Sequence, residues 1–107
     1  MAKTRFTEIR LERITDQIEN ELYHINENIA GNIMSFCDGE RTAAEARRRH
    51  SKYMAKFIHY QMLYYRAIDA ANEIDHSHSD EDKHFVSHNF CTESNKFITH
   101  CEFFKKC

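Results

Sequence analysis

Apolar residues recur three or four positions apart along the first third of the chain. The series runs from Leu11 to Phe36 and repeats every eleven residues. An eleven-residue repeat has an average period close to that of a straight α-helix, so the apolar positions stay on one face. The sequence therefore predicts a first helix over about residues 5–36, which would be about 48 Å long at 1.5 Å per residue.

The middle of the chain carries two apolar stripes on one helical pattern. One stripe runs from Ala43 to Ile68, the other runs from Tyr53 to Ile74, and the two share Phe57. A surface helix needs only one apolar face, so a helix with two is expected to be covered on two sides. This pattern predicts a second helix over about 42–75, in the middle of a bundle.

The break between these two patterns reads as a tight turn. Gly39 permits the positive φ that a turn needs, and Thr42 with Glu45 has the spacing of a capping box. A loop this short makes consecutive helices antiparallel. In the resulting hairpin Glu21 would lie level with Lys56, and Glu27 with His50, so we expect ion pairs that fix the register.

A third, shorter helix is predicted over about 82–106, after a turn with a capping-box spacing at Ser79 and Asp82. Its apolar stripe is Val86, Phe90, Phe97, Cys101 and Phe104. A weak helical patch at 92–95 is expected to kink or split it. Interdigitating helices place large side chains opposite small ones, which would put Phe90 opposite Ala67 of the second helix. The third helix would then end level with Tyr53.

The predicted fold class is all-α, a single domain over residues 1–107 in which an antiparallel three-helix bundle is built on a long helical hairpin. In the expected register no third helix covers the hairpin tip, residues 30–50. An apolar patch beside arginines has the composition of a protein-binding hot spot. The predicted partner-binding residues are Met34, Phe36, Arg47, Arg48, Arg49, His50 and Lys52.

Two further groups of residues suggest other binding chemistry. The basic run of the second helix, interleaved with tyrosines, is an alternative site for phosphate or nucleic acid. A histidine cluster is a second alternative, as a zinc site with Cys91 one helical turn away. Its members are His76, His78, His84 and His88. Because their spacing matches no standard zinc module, no cofactor is expected and zinc remains the alternative.

Composition favours a small soluble binding protein. The chain is 41% hydrophobic and 30% charged, with a net charge of −2 and no apolar run long enough for a membrane span. Its four cysteines form no CxxC pair, so we expect reduced thiols and a cytoplasmic location. Phe103 and Phe104 point about 100° apart, so one of them is expected at a second surface, such as a homodimer contact.

The sequence shows no phosphate-binding glycine loop and no arrangement typical of a nucleophilic enzyme, so it predicts no enzyme. The leading hypothesis is a small non-catalytic regulator or inhibitor that binds another protein and forms a homo-oligomer. Inhibitors that phages or mobile elements direct against host defence or nucleic-acid-processing complexes share this composition, and would act in the host cytoplasm. That comparison is an analogy of class and not a resemblance in sequence.

Overall fold

The computed structural model describes residues 2–74 and 87–106, and these form three α-helices. Helix α1 spans Ala2–Cys37, α2 spans Ala43–Ile74 and α3 spans His88–Lys106. Helices α1 and α2 form a long antiparallel hairpin, and α3 packs along it. The predicted all-α, three-helix architecture is therefore confirmed.

The turn between α1 and α2 has the geometry expected for its glycine. Gly39 has a φ of 80°, and its amide donates to the carbonyl of Phe36 at 3.1 Å. The next amide, of Glu40, donates to the carbonyl of Ser35 at 2.9 Å. These two bonds form a Schellman motif, which satisfies carbonyls at the end of α1. The Glu45 amide then donates to Thr42 Oγ1 at 3.2 Å, so Thr42 caps α2 as predicted.

The core consists of one face from each helix. The buried apolar residues of α1 are Ile18, Leu22, Ile25 and Ile29. Against them lie Phe57 and Tyr64 of α2, with Phe90 and Phe97 of α3. Phe57 is fully buried and stacks on Phe97 of α3, so α2 contacts both other helices there. The helix that packs closely against both others is α1, however, and not α2 as predicted.

Stacked rings set the register between α2 and α3. Three pairs lie nearly face to face, and we call them the aromatic ladder: His50 with Phe104, Phe57 with Phe97, and Tyr64 with Phe90. The ring centroids of these pairs lie 4.3, 4.0 and 4.0 Å apart. Both series repeat every seven residues, in opposite chain directions. The rings hold the α2 and α3 backbones apart, whereas α3 approaches α1 more closely.

The register of α3 on α2 that the aromatic ladder sets differs from the expected one by about one helical turn. Phe90 was expected to lie opposite the small side chain of Ala67, but it stacks on the ring of Tyr64. Ring stacking, and not the alternation of large and small residues, therefore sets the register. Helix α3 is also continuous across 92–95, so the expected kink is absent from it. It begins at His88 and not near Asp82, and the expected cap at Ser79 and Asp82 lies outside the described residues.

The ion pairs expected across the hairpin do not form. Among the described residues the ion pairs are Arg49 with Glu45 and Lys96 with Glu93, each 3.4 Å long and each within one helix. The hairpin is joined instead by packing and by a buried amide. Asn32 Nδ2 donates to the carbonyl of Ala46 at 2.8 Å, across the two helices. A buried amide in this position fixes register because its unpaired form would be costly.

Candidate functional site

The hairpin tip is not the open surface that the sequence predicted. Because α3 reaches one turn further than expected, Phe104 stacks on His50, and His50 is only 6% exposed. Phe103 makes an edge contact with Phe36, with ring centroids 6.5 Å apart. Both C-terminal phenylalanines thus pack within the bundle, and the argument for a homodimer contact through one of them fails. His50 is likewise unavailable to a partner.

Two predicted contact residues at the tip lie at different depths. Met34 is 65% exposed, whereas Phe36 is half-buried. Beneath them Arg41 donates to Asn32 Oδ1 at 2.7 Å, and Asn32 is itself fully buried. The tip is therefore a closed, hydrogen-bonded end of the bundle that carries one exposed methionine.

The basic residues of α2 divide between two faces. Arg48, Arg49, Lys52 and Lys56 line a groove of about 410 Å³, with Glu45 and Tyr53. We call these six residues the basic groove. They recur at positions 0, 3, 4, 7, 8 and 11 of the helical pattern, which places them on one face. Arg47 is exposed but does not line the groove, so three of the four basic residues in the predicted contact set are brought together.

Most cations of the basic groove have no ion-pair partner among the residues that the structure describes. Arg49 pairs with Glu45 along the helix, with both side chains partly exposed. Arg48, Lys52 and Lys56 form no ion pair with any residue that the structure describes. Carbon stems of lysine and arginine can lie along Tyr53 while the charged ends remain in water. This surface can therefore accept carboxylates or phosphates.

A second exposed surface on α2 is apolar. Ile58, Met62 and Tyr65 recur at spacings of four and three, and each is 43–55% exposed. Ile98 of α3, which is 55% exposed, directly follows the Phe97 that stacks on Phe57, so it lies within one helical turn of the level of Ile58. We call Ile58, Met62, Tyr65 and Ile98 the apolar strip. The sequence did not predict this strip, because Tyr65 was assigned to a core stripe and the other three residues belong to no predicted stripe.

A shallower groove lies between α1 and α2. It has a volume of about 440 Å³ and is lined by Ile14, Gln17, Ile18, Asn20, Glu21, Tyr60 and Leu63. Its lining includes a single ionisable carboxylate and no nucleophile held beside a base. The groove offers apolar contact to a ligand but no arrangement for acid–base chemistry.

Comparisons with protein-family models, with curated proteins and with solved structures found no match to this chain. Within the residues described, no helix combines the length and the apolar character needed to cross a membrane.

A buried histidine, His50, and a half-buried one, His100, lie where the ladder ends. Burial lowers the pKa of His50, and the nearby His100 lowers it further. Burial also lowers the pKa of His100, with a contribution from Lys96 that Glu93 opposes. The Nδ1 atoms of both histidines lack a hydrogen-bond partner. Burial therefore disfavours the charged imidazolium at both positions.

The predicted zinc cluster falls mostly beyond what the structure describes. His76, His78 and His84 lie outside the described residues. His88 is exposed at the first position of α3, and Cys91 is exposed one turn later. Among the described residues, no group of three or more His, Cys, Asp or Glu side chains is placed to hold a metal ion. The zinc site remains a prediction.

Proposed function

We propose that this protein is a small non-catalytic regulator or inhibitor that acts by binding another protein, and that its basic groove receives acidic side chains of that partner. The observation that carries this proposal is the groove itself. It gathers four cations on one face of α2 and includes one carboxylate. Arginine favours carboxylate partners because its guanidinium can donate two parallel hydrogen bonds.

The size and setting of the groove favour an acidic protein segment over a nucleic acid. From Arg48 to Lys56 the cations extend over about 12 Å of helix, which is little more than two turns. The chain as a whole carries a net charge of −2, so it has no general attraction for a polyanion. An acidic loop or helix end needs only a short positive surface, and charge complementarity of this kind sets specificity and association rate.

Nucleic acid is the second candidate, because Tyr53 lies among the four cations. A basic groove with an aromatic ring is the arrangement that single-stranded nucleic acids use. Tyr53 is half-buried, however, so only part of its ring can stack on a base. Binding to phosphates would also depend strongly on salt, since each neutralised phosphate releases counterions.

The test compares one variant with a charge-matched control. The groove variant combines Arg48→Glu, Lys52→Glu and Lys56→Glu. The control combines Arg10→Glu, Arg13→Glu and Arg66→Glu, which are exposed residues outside the groove. Both variants change the net charge equally. All six are surface changes, expected to cost within about 0.5 kcal/mol each.

Binding is measured by fluorescence anisotropy with a labelled oligoglutamate peptide and with a labelled oligothymidylate. We expect the parent and the control to bind the peptide, and the groove variant to bind it at least about ten-fold more weakly, a loss of about 1.4 kcal/mol. Tighter binding of the oligonucleotide, with a steep salt dependence that the groove variant reduces, would replace the protein partner by a nucleic acid. Equal peptide binding by all three proteins would remove the groove from consideration.

A further inference from the structure

The apolar strip lies on a different face of α2 from the basic groove, and the two share no residue. Its four side chains are each about half exposed, and the spacing of Ile58, Met62 and Tyr65 places these three on one face of α2. A hydrogen bond of 3.5 Å from Gln61 Nε2 to Ser94 Oγ marks this edge, and Ile98 follows Ser94 by one turn. Exposed apolar surfaces that are contiguous in this way mark interaction sites.

Opposite charges lie on the two sides of Ile58, at equal distances along α2. Arg47 precedes Ile58 by eleven residues, and Asp69 follows Ile58 by eleven residues. An eleven-residue spacing returns to nearly the same face of a straight helix, so Arg47, Ile58 and Asp69 share a face. Arg47 and Asp69 are exposed, and neither forms an ion pair with a residue that the structure describes.

We infer that the apolar strip is the interface of a two-fold symmetric homodimer, in which α2 packs antiparallel against α2 of a second copy with Ile58 at the symmetry axis. Two-fold symmetry makes every contact occur twice. Arg47 of each copy then lies beside Asp69 of the other, and Met62 of each lies beside Met54 of the other. Both ends of the interface are closed by opposite charges while the apolar side chains leave water.

Self-pairing is favoured over an unrelated partner by this symmetry. The same helix supplies both Arg47 and Asp69, each eleven residues from Ile58. An antiparallel copy of α2 is complementary to that pattern, whereas a parallel copy would place like charges together. The dimer leaves the basic groove of each copy outside the interface, so it does not depend on the function proposed above.

Charge reversal at the two ends gives a specific test. Arg47 and Asp69 are about 33 Å apart along one helix, so they cannot pair within a chain. Arg47→Glu alone places two carboxylates together at each end of the dimer, and Asp69→Arg alone places two arginines together. Each single variant should dissociate at least about ten-fold more readily than the parent. An equimolar mixture of the two should form heterodimers, because both ends then join opposite charges.

The measurement is sedimentation velocity over a range of protein concentrations, for the parent, each single variant, their mixture and the double variant. We expect dimers for the parent, the mixture and the double variant. Ile58→Glu should give monomers, whereas the matched change Met34→Glu, at an exposed methionine on the tip, should leave the dimer intact. Far-ultraviolet circular dichroism confirms that each variant is folded.

Three results would overturn the homodimer. The parent could sediment as a monomer at every concentration, which would leave the strip for a different partner. Ile58→Glu could dimerise as the parent does, which would place the interface elsewhere. The mixture of Arg47→Glu and Asp69→Arg could remain as weakly associated as either variant alone, which would exclude the antiparallel register.

Discussion

At the scale of single residues, His50 shows how a polar side chain becomes part of the core. Its ring stacks on Phe104 at 4.3 Å, and burial lowers its pKa below the ordinary value of 6.5. The folded protein therefore binds a proton at this residue less readily than the unfolded chain does. The contribution of His50 to the free energy of unfolding is fully present above about pH 6.5. It declines as the pH falls below that value, toward the lowered pKa of the folded state.

Replacing His50 with phenylalanine should reduce this loss of stability in acid. The change keeps an aromatic ring against Phe104 and removes the titrating group, so the fall in Tm between pH 7 and pH 5 should be smaller than in the parent. Some decline should remain, because the pKa of His100 is lowered as well. Thermal melts at several pH values provide the measurement. His59→Phe, at an exposed histidine, is the control, and parallel profiles for the parent and His50→Phe would contradict the prediction.

The burial of His50 could not be predicted from its own sequence neighbourhood. In the helical pattern it fills a polar position among apolar ones, next to three arginines, which is why it was assigned to a contact surface. Its environment depends on a ring 54 positions later in the chain. The matched seven-residue spacing of His50, Phe57 and Tyr64 with Phe90, Phe97 and Phe104 was the available signal.

At the scale of secondary-structure elements, one residue at the start of α3 joins all three helices. Ser87 Oγ accepts a hydrogen bond from the Phe90 amide at 3.1 Å, which makes Ser87 the N-cap. The same hydroxyl donates to Glu19 of α1, and the Ser87 amide donates to the hydroxyl of Tyr64 at 3.3 Å. Tyr64 in turn donates to Glu19 at 3.1 Å. This network determines where α3 begins.

Removing the hydroxyl by Ser87→Ala should destabilise the bundle by about 1–3 kcal/mol, because it removes both the cap and a bond to a carboxylate. Urea denaturation followed by circular dichroism measures this difference. Ser51→Ala, at an exposed position inside α2, should change stability by no more than about 0.5 kcal/mol. A similar small change for both variants would show that the cap does not hold α3 in place.

The sequence predicted the existence of α3 but neither its first residue nor its register. Ser79 with Asp82 has the spacing of a capping box, whereas Ser87 has phenylalanine three residues later, so a search for capping boxes passes over it. The expected register of α3 on α2 places large residues opposite alanines. The observed register is set instead by the stacking of Phe90 on Tyr64. The hairpin was easier to predict because Gly39 and Thr42 act on their immediate neighbours.

At the scale of the whole molecule, the bundle depends on packing more than on surface charge. The expected pairing of Glu21 with Lys56 did not form. Exposed pairs of this kind contribute about 1 kcal/mol at most, which is too little to orient helices against the demands of the core. Arg48, Lys52 and Lys56, which form no ion pair with a described residue, instead lie together in the basic groove. The charge pattern of α2 therefore indicates the candidate site and not the register of the hairpin.

The strongest test of the bundle is its central residue. Phe57 is fully buried, lies in the middle of the aromatic ladder and contacts the cores of both other helices. Phe57→Ala should cost about 3–5 kcal/mol, which approaches the total stability of many small domains. Thermal and urea unfolding should show a large loss in midpoint, whereas Met34→Ala at the exposed tip should change it little.

A double-mutant cycle with Phe97→Ala then separates stacking from general packing. Because the two rings stack at 4.0 Å, removing the second after the first should cost less than removing it from the parent, with a coupling of about 0.5–1.5 kcal/mol. The cycle requires the double variant to unfold cooperatively, and urea transitions at low temperature allow that to be checked. Additive losses would mean that Phe57 and Phe97 contribute separately to the core.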